Sequence, residues 1–358
     1  MLYRIPTGSA GLAVCATLLL LGSLSAQGPA PVKVMSLGDS ITEGQTGHAG
    51  WRYWLWNGLQ ENGYTNVDFI GSQAGAFLGP PLYANYDQDH EGYWGARVDQ
   101  LILHMPSIFG RGHIPDIALI HVGHNDIIQG QSIAVTAGEI LALISKIREA
   151  NRDCKFFIAK VIPTTDPWAA ANLQLLNTLI EAWGPAFSLP SSPIVIVDQA
   201  TGFNTSTDLY DGVHPNELGE TKMSENWLRA IAPALGSFKV SLSYDATTRL
   251  MTSRNFAGIP NQNFVSVITN DPANTHGGLG TGWFGGLHVS WAEVAMQATV
   301  HGSPFTGQLD GYGASRGTYS TPVPPSLIGK PFYAGTLCVD SVTGALLEFG
   351  TPTSITAN

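Results

Sequence analysis

Charge is scarce in this chain. Only 12% of its 358 residues are Asp, Glu, Lys or Arg, and 27 acidic residues outnumber 17 basic ones, for a net charge of −10. No cluster of Lys or Arg occurs, which argues against a nucleic-acid partner. Cysteine is nearly absent: Cys15, Cys154 and Cys338 are the three. Once Cys15 is set aside with the N-terminal leader, Cys154 and Cys338 either pair or remain free buried thiols, and spacing leaves both open. The N-terminal apolar run, Gly11–Leu21, is too short to span a bilayer. His48, His90, His113 and His121 make no metal-ligand spacing with Cys or acids, and no glycine-rich nucleotide loop precedes a helix. No metal and no cofactor are therefore expected. No internal repeat stands out.

The leader has a meaning of its own. Arg4 is its one charge, Gly11–Leu21 is its apolar core, and Leu24-Ser25-Ala26 puts small residues before Gln27. That order predicts a cleavable secretory signal over residues 1–26. The mature protein is then expected outside the cytoplasm, secreted, periplasmic or at the cell surface, with no stable membrane anchor.

The length allows two domains. Strands are expected at Val32–Leu37, Val67–Ile70, Ile117–Val122, Phe156–Ile162 and Ile194–Val197, mostly short and continuously apolar. Strands covered on both faces read that way. Helices are expected between them, at Trp51–Asn62, Ala96–Met105, Ser132–Ala150, Ala169–Trp183 and Asn216–Leu235. Alternating strands and helices predict a parallel sheet between two helical layers. After Gly236 the helical period is lost. Phe238–Tyr244, Phe264–Thr269, Leu287–Val300 and Thr336–Val339 read as β, punctuated by Gly and Pro. A catalytic domain over 27–236 and a smaller all-β, sandwich-like domain over 237–358 are expected.

The chain is organised around VKVMSLGDSITEG, Val32 to Gly44. An apolar strand stops at Gly38-Asp39-Ser40, and chemistry in an open α/β sheet gathers at such carboxyl ends. Three further blocks follow. Gly95 sits in His90-Glu91-Gly92-Tyr93-Trp94-Gly95, Asn125 in Gly123-His124-Asn125-Asp126, and Asp211 and His214 in Asp211-Gly212-Val213-His214-Pro215. The residue types suit acyl transfer. His214 can take the Ser40 proton and return it to a leaving group. Asp211, three residues earlier, can fix the imidazole tautomer. The backbone N–H groups of Ser40 and Gly95 and the Asn125 amide can hold an oxyanion, each such donor being worth about 3 kcal/mol of barrier.

These blocks, in this order, resemble the SGNH (GDSL) hydrolase superfamily, whose name records the residues matched by Ser40, Gly95, Asn125 and His214. GDSITEG, NGYTNVDFIGSQ, DHEGYWG and DGVHPNELG look like carbohydrate esterases of the acetylxylan esterase type, over about Val32 to Leu235. The resemblance implies a three-layer α/β/α, flavodoxin-like fold and metal-free ester hydrolysis through an acyl-enzyme. Its implied substrate is an acylated polysaccharide or small ester, often an acetyl ester on a sugar. Two departures bear on substrate: His124 stands where the residue is often small or Thr, and Trp94 stands where a small residue often precedes the glycine.

Other residues carry two readings. Asp39 either holds the turn through local hydrogen bonds or meets substrate. His124 either lines the acyl pocket or fills space. Trp51, Arg52 and Trp94 are candidate sugar contacts; Trp51 equally suits a helical core face, and Arg52 equally suits pairing with an acid. Gly313-Ala314-Ser315-Arg316-Gly317 matches a nucleophile elbow, but three prolines follow in Thr318–Pro325 and forbid the required helix, so Ser315 reads as part of a Gly-rich β-turn. Trp283, Phe284, Trp291, Tyr312, Tyr319, Phe332 and Tyr333 either form a sugar-binding platform or fill a sandwich core. The expected function is a secreted serine esterase acting on acylated carbohydrate. The alternatives are a lipolytic or aryl esterase of the same fold and a non-catalytic glycan-binding surface protein.

Overall fold

A computed structural model describes residues 29–301 and 305–358. The fold below is that of the compact unit Val32–Asn358. The expected leader, with Cys15, lies outside the described residues.

The first part of this unit alternates strand and helix: β1 (Val32–Gly38), α1 (Ser40–Glu43), α2 (Trp51–Glu61), β2 (Val67–Phe69), β3 (Gln73–Ala74), β4 (Asp89–Gly92), α3 (Val98–Gly110), β5 (Ile117–His121), α4 (His124–Ile128), α5 (Ile133–Ala150), β6 (Lys155–Lys160), α6 (Pro167–Phe187), β7 (Ile194–Asp198) and α7 (Glu217–Leu235). The sheet runs β3-β4-β1-β5-β6-β7, with β2 also on β1. All its pairings are parallel except β3–β4.

The strands are apolar throughout because both faces are covered. Side chains alternate across a strand. Met35, Leu37, Ala118, Ile120, Phe156 and Ile158 therefore enter one core, packed on α3, α5 and α6. Val34, Ile117, Leu119, Phe157 and Ala159 enter the other, against α2 and α7. The result is the expected three-layer α/β/α arrangement, with β1 near its middle and Ser40 directly past its carboxyl end. Trp51 is fully buried in the second core, so it is a core residue and not a sugar contact.

Helix starts follow local chemistry. Ser132 caps α5 by accepting from the Val135 N–H, and Asp166 caps α6, with Pro167 in the first turn. The Asn216 side chain caps α7 through Leu218 and Gly219. The third helix departs from its expected span, Ala96–Met105. It starts at Val98, after an extended Arg97, and continues through Pro106 to Gly110. Strand β4 has no apolar signature at all, because its buried polar groups are hydrogen-bonded. Glu91 accepts from the Ser72 N–H at 2.5 Å and the Tyr93 hydroxyl at 2.6 Å, and His90 Nδ1 accepts from the Gly92 N–H at 2.9 Å.

Beyond α7 come β8 (Lys239–Asp245), β9 (Leu250–Phe256), β10 (Asn263–Thr269), α8 (Trp291–Met296), β11 (Thr306–Gln308), β12 (Ser315–Thr318), β13 (Pro331–Val339), β14 (Leu346–Phe349) and β15 (Thr353–Thr356). They form two antiparallel sheets, β12-β9-β8 and β11-β10-β13-β14, with β15 also on β13. Val240, Leu242 and Met251 of one sheet meet Phe332 and Ala334 of the other. The β reading of Leu287–Val300 is corrected: the segment holds α8, extended by a π-helical turn over Gln297–His301. Ser290 accepts from the Glu293 N–H at 3.2 Å, a Ser-x-x-Glu start hidden among glycines. Cys154 and Cys338 are free and buried in different clusters, which closes the disulfide alternative.

Candidate active site

The turn after β1 is fixed by close packing. A Cβ on Gly38 would lie 2.2 Å from the His121 carbonyl oxygen and 2.4 Å from Thr42 Oγ1, so only glycine fits. Asp39 then caps α1, its Oδ1 accepting from the Ile41 N–H at 3.0 Å. Ser40, 6% exposed, begins the helical turn.

The loop Asp211–His214 folds on one carboxylate. Asp211 Oδ1 accepts from the backbone N–H groups of Val213 at 3.0 Å and His214 at 2.8 Å. Its Oδ2 lies 2.7 Å from His214 Nδ1, and His214 Nε2 lies 2.8 Å from Ser40 Oγ. A carboxylate only accepts, so Nδ1 carries the ring proton and Nε2 is left to accept from the Ser40 hydroxyl. Partial burial alone would raise the Asp211 carboxyl. The hydrogen bonds from the His214 backbone, its ring and Val213 outweigh that and hold Asp211 below the usual range.

Gly95 adopts φ +75°, which turns the chain between Trp94 and Ala96. Asn125 lies in the first turn of α4, after β5, and its Nδ2 donates to the Ala96 carbonyl at 3.1 Å. The Trp94 N–H donates to Glu43 Oε2 at 2.5 Å, joining the Gly95 block to the segment that carries Ser40. Trp94, half-buried, stacks on His214 with ring centroids 4.7 Å apart.

Three residues that the sequence offers as substrate contacts are placed elsewhere. Arg52 is 2% exposed, and its guanidinium is occupied by four backbone carbonyls: Thr42 at 2.8 Å, Gln88 at 2.7 Å, Glu43 at 3.0 Å and Gly75 at 2.6 Å. It braces the site's loops from inside the fold, enclosed from solvent and from a sugar. Asp39 is fully buried as a helix cap. His124 is 2% exposed, and its Nε2 donates to the Ile162 carbonyl at 2.8 Å, beneath the site and not in a pocket wall. Asp39 Oδ2 and His124 Nδ1 approach to 4.0 Å without forming an ion pair. Burial pushes Asp39 up to about 7 and His124 down to about 4, so the ring is neutral near pH 7.

Ser315 opens β12 and lies 2.9 Å from Asn255 Nδ2, within the β-rich region. A narrow cavity is lined by Ser40 and His214 together with His48, Tyr210 and the buried Glu220. Sequence reasoning missed His48, Tyr210 and Glu220; the position of Tyr210 directly before Asp211 is the one signal that could have found any of them. A larger cleft of about 690 Å³ lies between α2, α7 and β9, lined by Trp54, Asn57, Glu225 and Arg254 and by none of Ser40, Asp211 and His214. Among the described residues no group of three or more His, Cys, Asp or Glu side chains is arranged to hold a metal, and no helix is long and apolar enough to cross a membrane.

Known proteins resemble this chain. A multidomain esterase of Ruminococcus flavefaciens is 32% identical over 224 residues, covering 56% of this chain and 28% of that protein, so the chain spans little more than a quarter of that relative. A crystal structure of an acetyl esterase mutant with acetate ion is 30% identical, covers 57% of this chain and 98% of its own, and superposes with a TM-score of 0.52. A carbohydrate esterase family 3 protein from Talaromyces cellulolyticus has the same identity, coverage and TM-score. Residues 36–222, more than half of the chain, match the description "GDSL-like Lipase/Acylhydrolase family". With the Ser40 turn and the Gly95, Asn125 and Asp211–His214 blocks all inside that span, the chain belongs to the GDSL-like lipase/acylhydrolase family.

Proposed function

We propose that this protein is an exported serine esterase that removes acyl groups, foremost acetyl, from carbohydrate. The observation that carries the reading is the continuous hydrogen-bonded line from Asp211 through His214 to Ser40 Oγ, at 2.7 and 2.8 Å. The acetyl and carbohydrate parts draw on what the similar structures are called, and export draws on the leader sequence. Residues 27–236 are assigned to catalysis and 237–358 to an accessory role.

Ser40 Oγ attacks the ester carbonyl carbon as its proton passes to His214 Nε2, and Asp211 holds the Nδ1–H. The oxyanion takes the N–H groups of Ser40 and Gly95 and the Asn125 amide. An amide has two N–H donors. The one bonded to Ala96 orients the group and leaves the other for the oxyanion. His214 returns the proton to the leaving alcohol, and an acyl-Ser40 ester remains. Water then attacks it, with His214 as base, and the acid departs.

For a glycan-binding role of the accessory region, the two exposed rings among the seven aromatic residues are Trp283 and Trp291. Phe284 and Phe332 are buried, whereas Trp283 and Trp291 are 40% and 72% exposed with centroids 4.3 Å apart. The deciding experiment is hydrolysis of p-nitrophenyl esters of rising chain length and of an acetylated glycan, beside Ser40→Ala. Turnover steepest on acetate, acetate release from the glycan, and loss of both in the variant are expected. Faster turnover of octanoate would favour the lipolytic alternative, and no turnover of any ester would overturn the esterase reading.

A further inference from the structure

Five rings form a continuous run through the candidate site. Phe77 stacks on Trp94 at 4.4 Å between centroids, with planes 16° apart; Trp94 stacks on His214 at 4.7 Å and 20°. His214 then stacks on Tyr210 at 5.7 Å and 17°, and Tyr210 on His48 at 4.2 Å and 23°. The His214 imidazole is the middle member, with a near-parallel ring on each side along the run.

Both flanking residues are tied to the segment that carries the nucleophile. The Trp94 N–H donates to Glu43, and the Tyr210 hydroxyl donates to Gln45 Oε1 at 2.8 Å. Glu43 and Gln45 follow Ser40 by three and five positions. The rings that bracket the imidazole therefore move with Ser40, which couples the plane of His214 to the hydroxyl it must meet.

We propose that Trp94 and Tyr210 are positioning residues whose ring faces hold the His214 plane and stabilise the imidazolium while it carries the Ser40 proton. The inference rests on the triad reading above. In that step the Oγ–H bond breaks, an N–H bond forms at Nε2, Oγ bonds to the carbonyl carbon, and the carbonyl π pair moves to oxygen. The imidazole gains a full positive charge. Aromatic faces are negative, so a cation stacked between two of them is attracted by both. The neutral ring of the resting state gains only dispersion. A stabilisation present only when the charge exists raises kcat and leaves KM nearly unchanged.

The test uses the full chain, with p-nitrophenyl acetate as substrate and thermal unfolding of each variant to exclude misfolding. Trp94→Phe keeps a ring face and the backbone bond to Glu43 and is expected within about threefold of the parent kcat. Tyr210→Phe keeps the face but loses the hydroxyl bond to Gln45, so its loss is expected to fall between that of Trp94→Phe and that of Tyr210→Leu. Trp94→Leu and Tyr210→Leu keep an apolar side chain without the face and are expected to lose about tenfold in kcat, with KM little changed. Global replacement of tryptophan by a ring-fluorinated analogue, which weakens the negative face, is expected to lower kcat in the parent and not in the Trp94→Phe background. Leucine variants that match their phenylalanine counterparts, or that lose activity only through KM, would overturn the inference. Ser40→Ala separates the two claims. If it retains turnover, the triad reading fails; if it is inactive while the leucine variants are normal, only the role of the rings fails.

Discussion

The Tyr312 hydroxyl donates to the Ile196 carbonyl at 3.0 Å and accepts from the Asp198 N–H at 3.3 Å. A residue of the β-rich region thereby covers the outer edge of β7, the last strand of the parallel sheet, where unpaired backbone groups would otherwise face solvent. Arg229 Nε donates to Asp310 at 2.8 Å beside it, and Phe256 and Ala314 share one apolar cluster with Trp227 and Ile231 of α7.

The change of secondary structure after Gly236 is therefore not a break in packing. Residues 32–358 are expected to melt in one cooperative transition. Phe256→Ala is expected to cost about 3–5 kcal/mol, because it leaves a cavity against α7. Calorimetry checks this. Two resolved transitions, with Phe256→Ala shifting only one of them, would show that the β-rich sheets unfold independently.

Arg52 supplies a second test. Its planar fork spans four carbonyls drawn from α1, the segment around Gly75 and Gln88, just before β4. Lysine presents a single ammonium and cannot reach all four. Arg52→Lys is expected to lower stability by roughly 2–4 kcal/mol through stranded buried carbonyls. The KM for p-nitrophenyl acetate should stay near the parent value, since the side chain is enclosed. A raised KM with unchanged melting temperature would restore a substrate role to Arg52.

What could be read from sequence was local. The apolar run Val32–Leu37, the glycine that stops it and the three-residue spacing of Asp211 and His214 each sit within one short stretch. Burial of polar side chains is a tertiary property and left no such mark. Asp39, Arg52 and His124 resemble surface or pocket residues in sequence, yet each is enclosed and at least partly satisfied by backbone groups. Strand β4 escaped notice for the same reason, with His90 and Glu91 buried where a strand signature requires apolar residues. The ring run through His214 joins residues 48, 77, 94, 210 and 214, and only the fold brings them together.

Glu220 predicts a pH dependence of stability. The side chain is 3% exposed, and burial pushes its carboxyl from 4.5 up to about 7, against the opposing pull of the Gly50 N–H. Below 4.5 folded and unfolded chains both hold the proton. Between 4.5 and about 7 the unfolded chain releases it while the folded chain retains it, so stability falls as pH rises through that window. The full cost, roughly 3 kcal/mol, is present above it. Glu220→Gln is expected to leave the melting temperature nearly unchanged at about pH 4 and to raise it at about pH 8. An equal effect at both pH values would refute the assignment.

The proposed oxyanion donors separate by the kind of damage each substitution does. Asn125→Ala removes a side-chain N–H aimed by its bond to Ala96, and nothing else in the site replaces it. A loss of about 10²–10³ in kcat with little change in KM is expected, because the donor acts on charge that develops in the transition state. Gly95→Ala keeps its N–H. Its Cβ would meet no atom within 4 Å, so the cost is the φ of +75° alone. That strain is about 1–2 kcal/mol of stability, and the loss in kcat should stay well under that of Asn125→Ala. Steady-state kinetics and thermal unfolding on both variants distinguish the cases. If Asn125→Ala turned over p-nitrophenyl acetate at the parent rate, the amide would not contact the oxyanion. The remaining donors would then be the backbone N–H groups of Ser40 and Gly95.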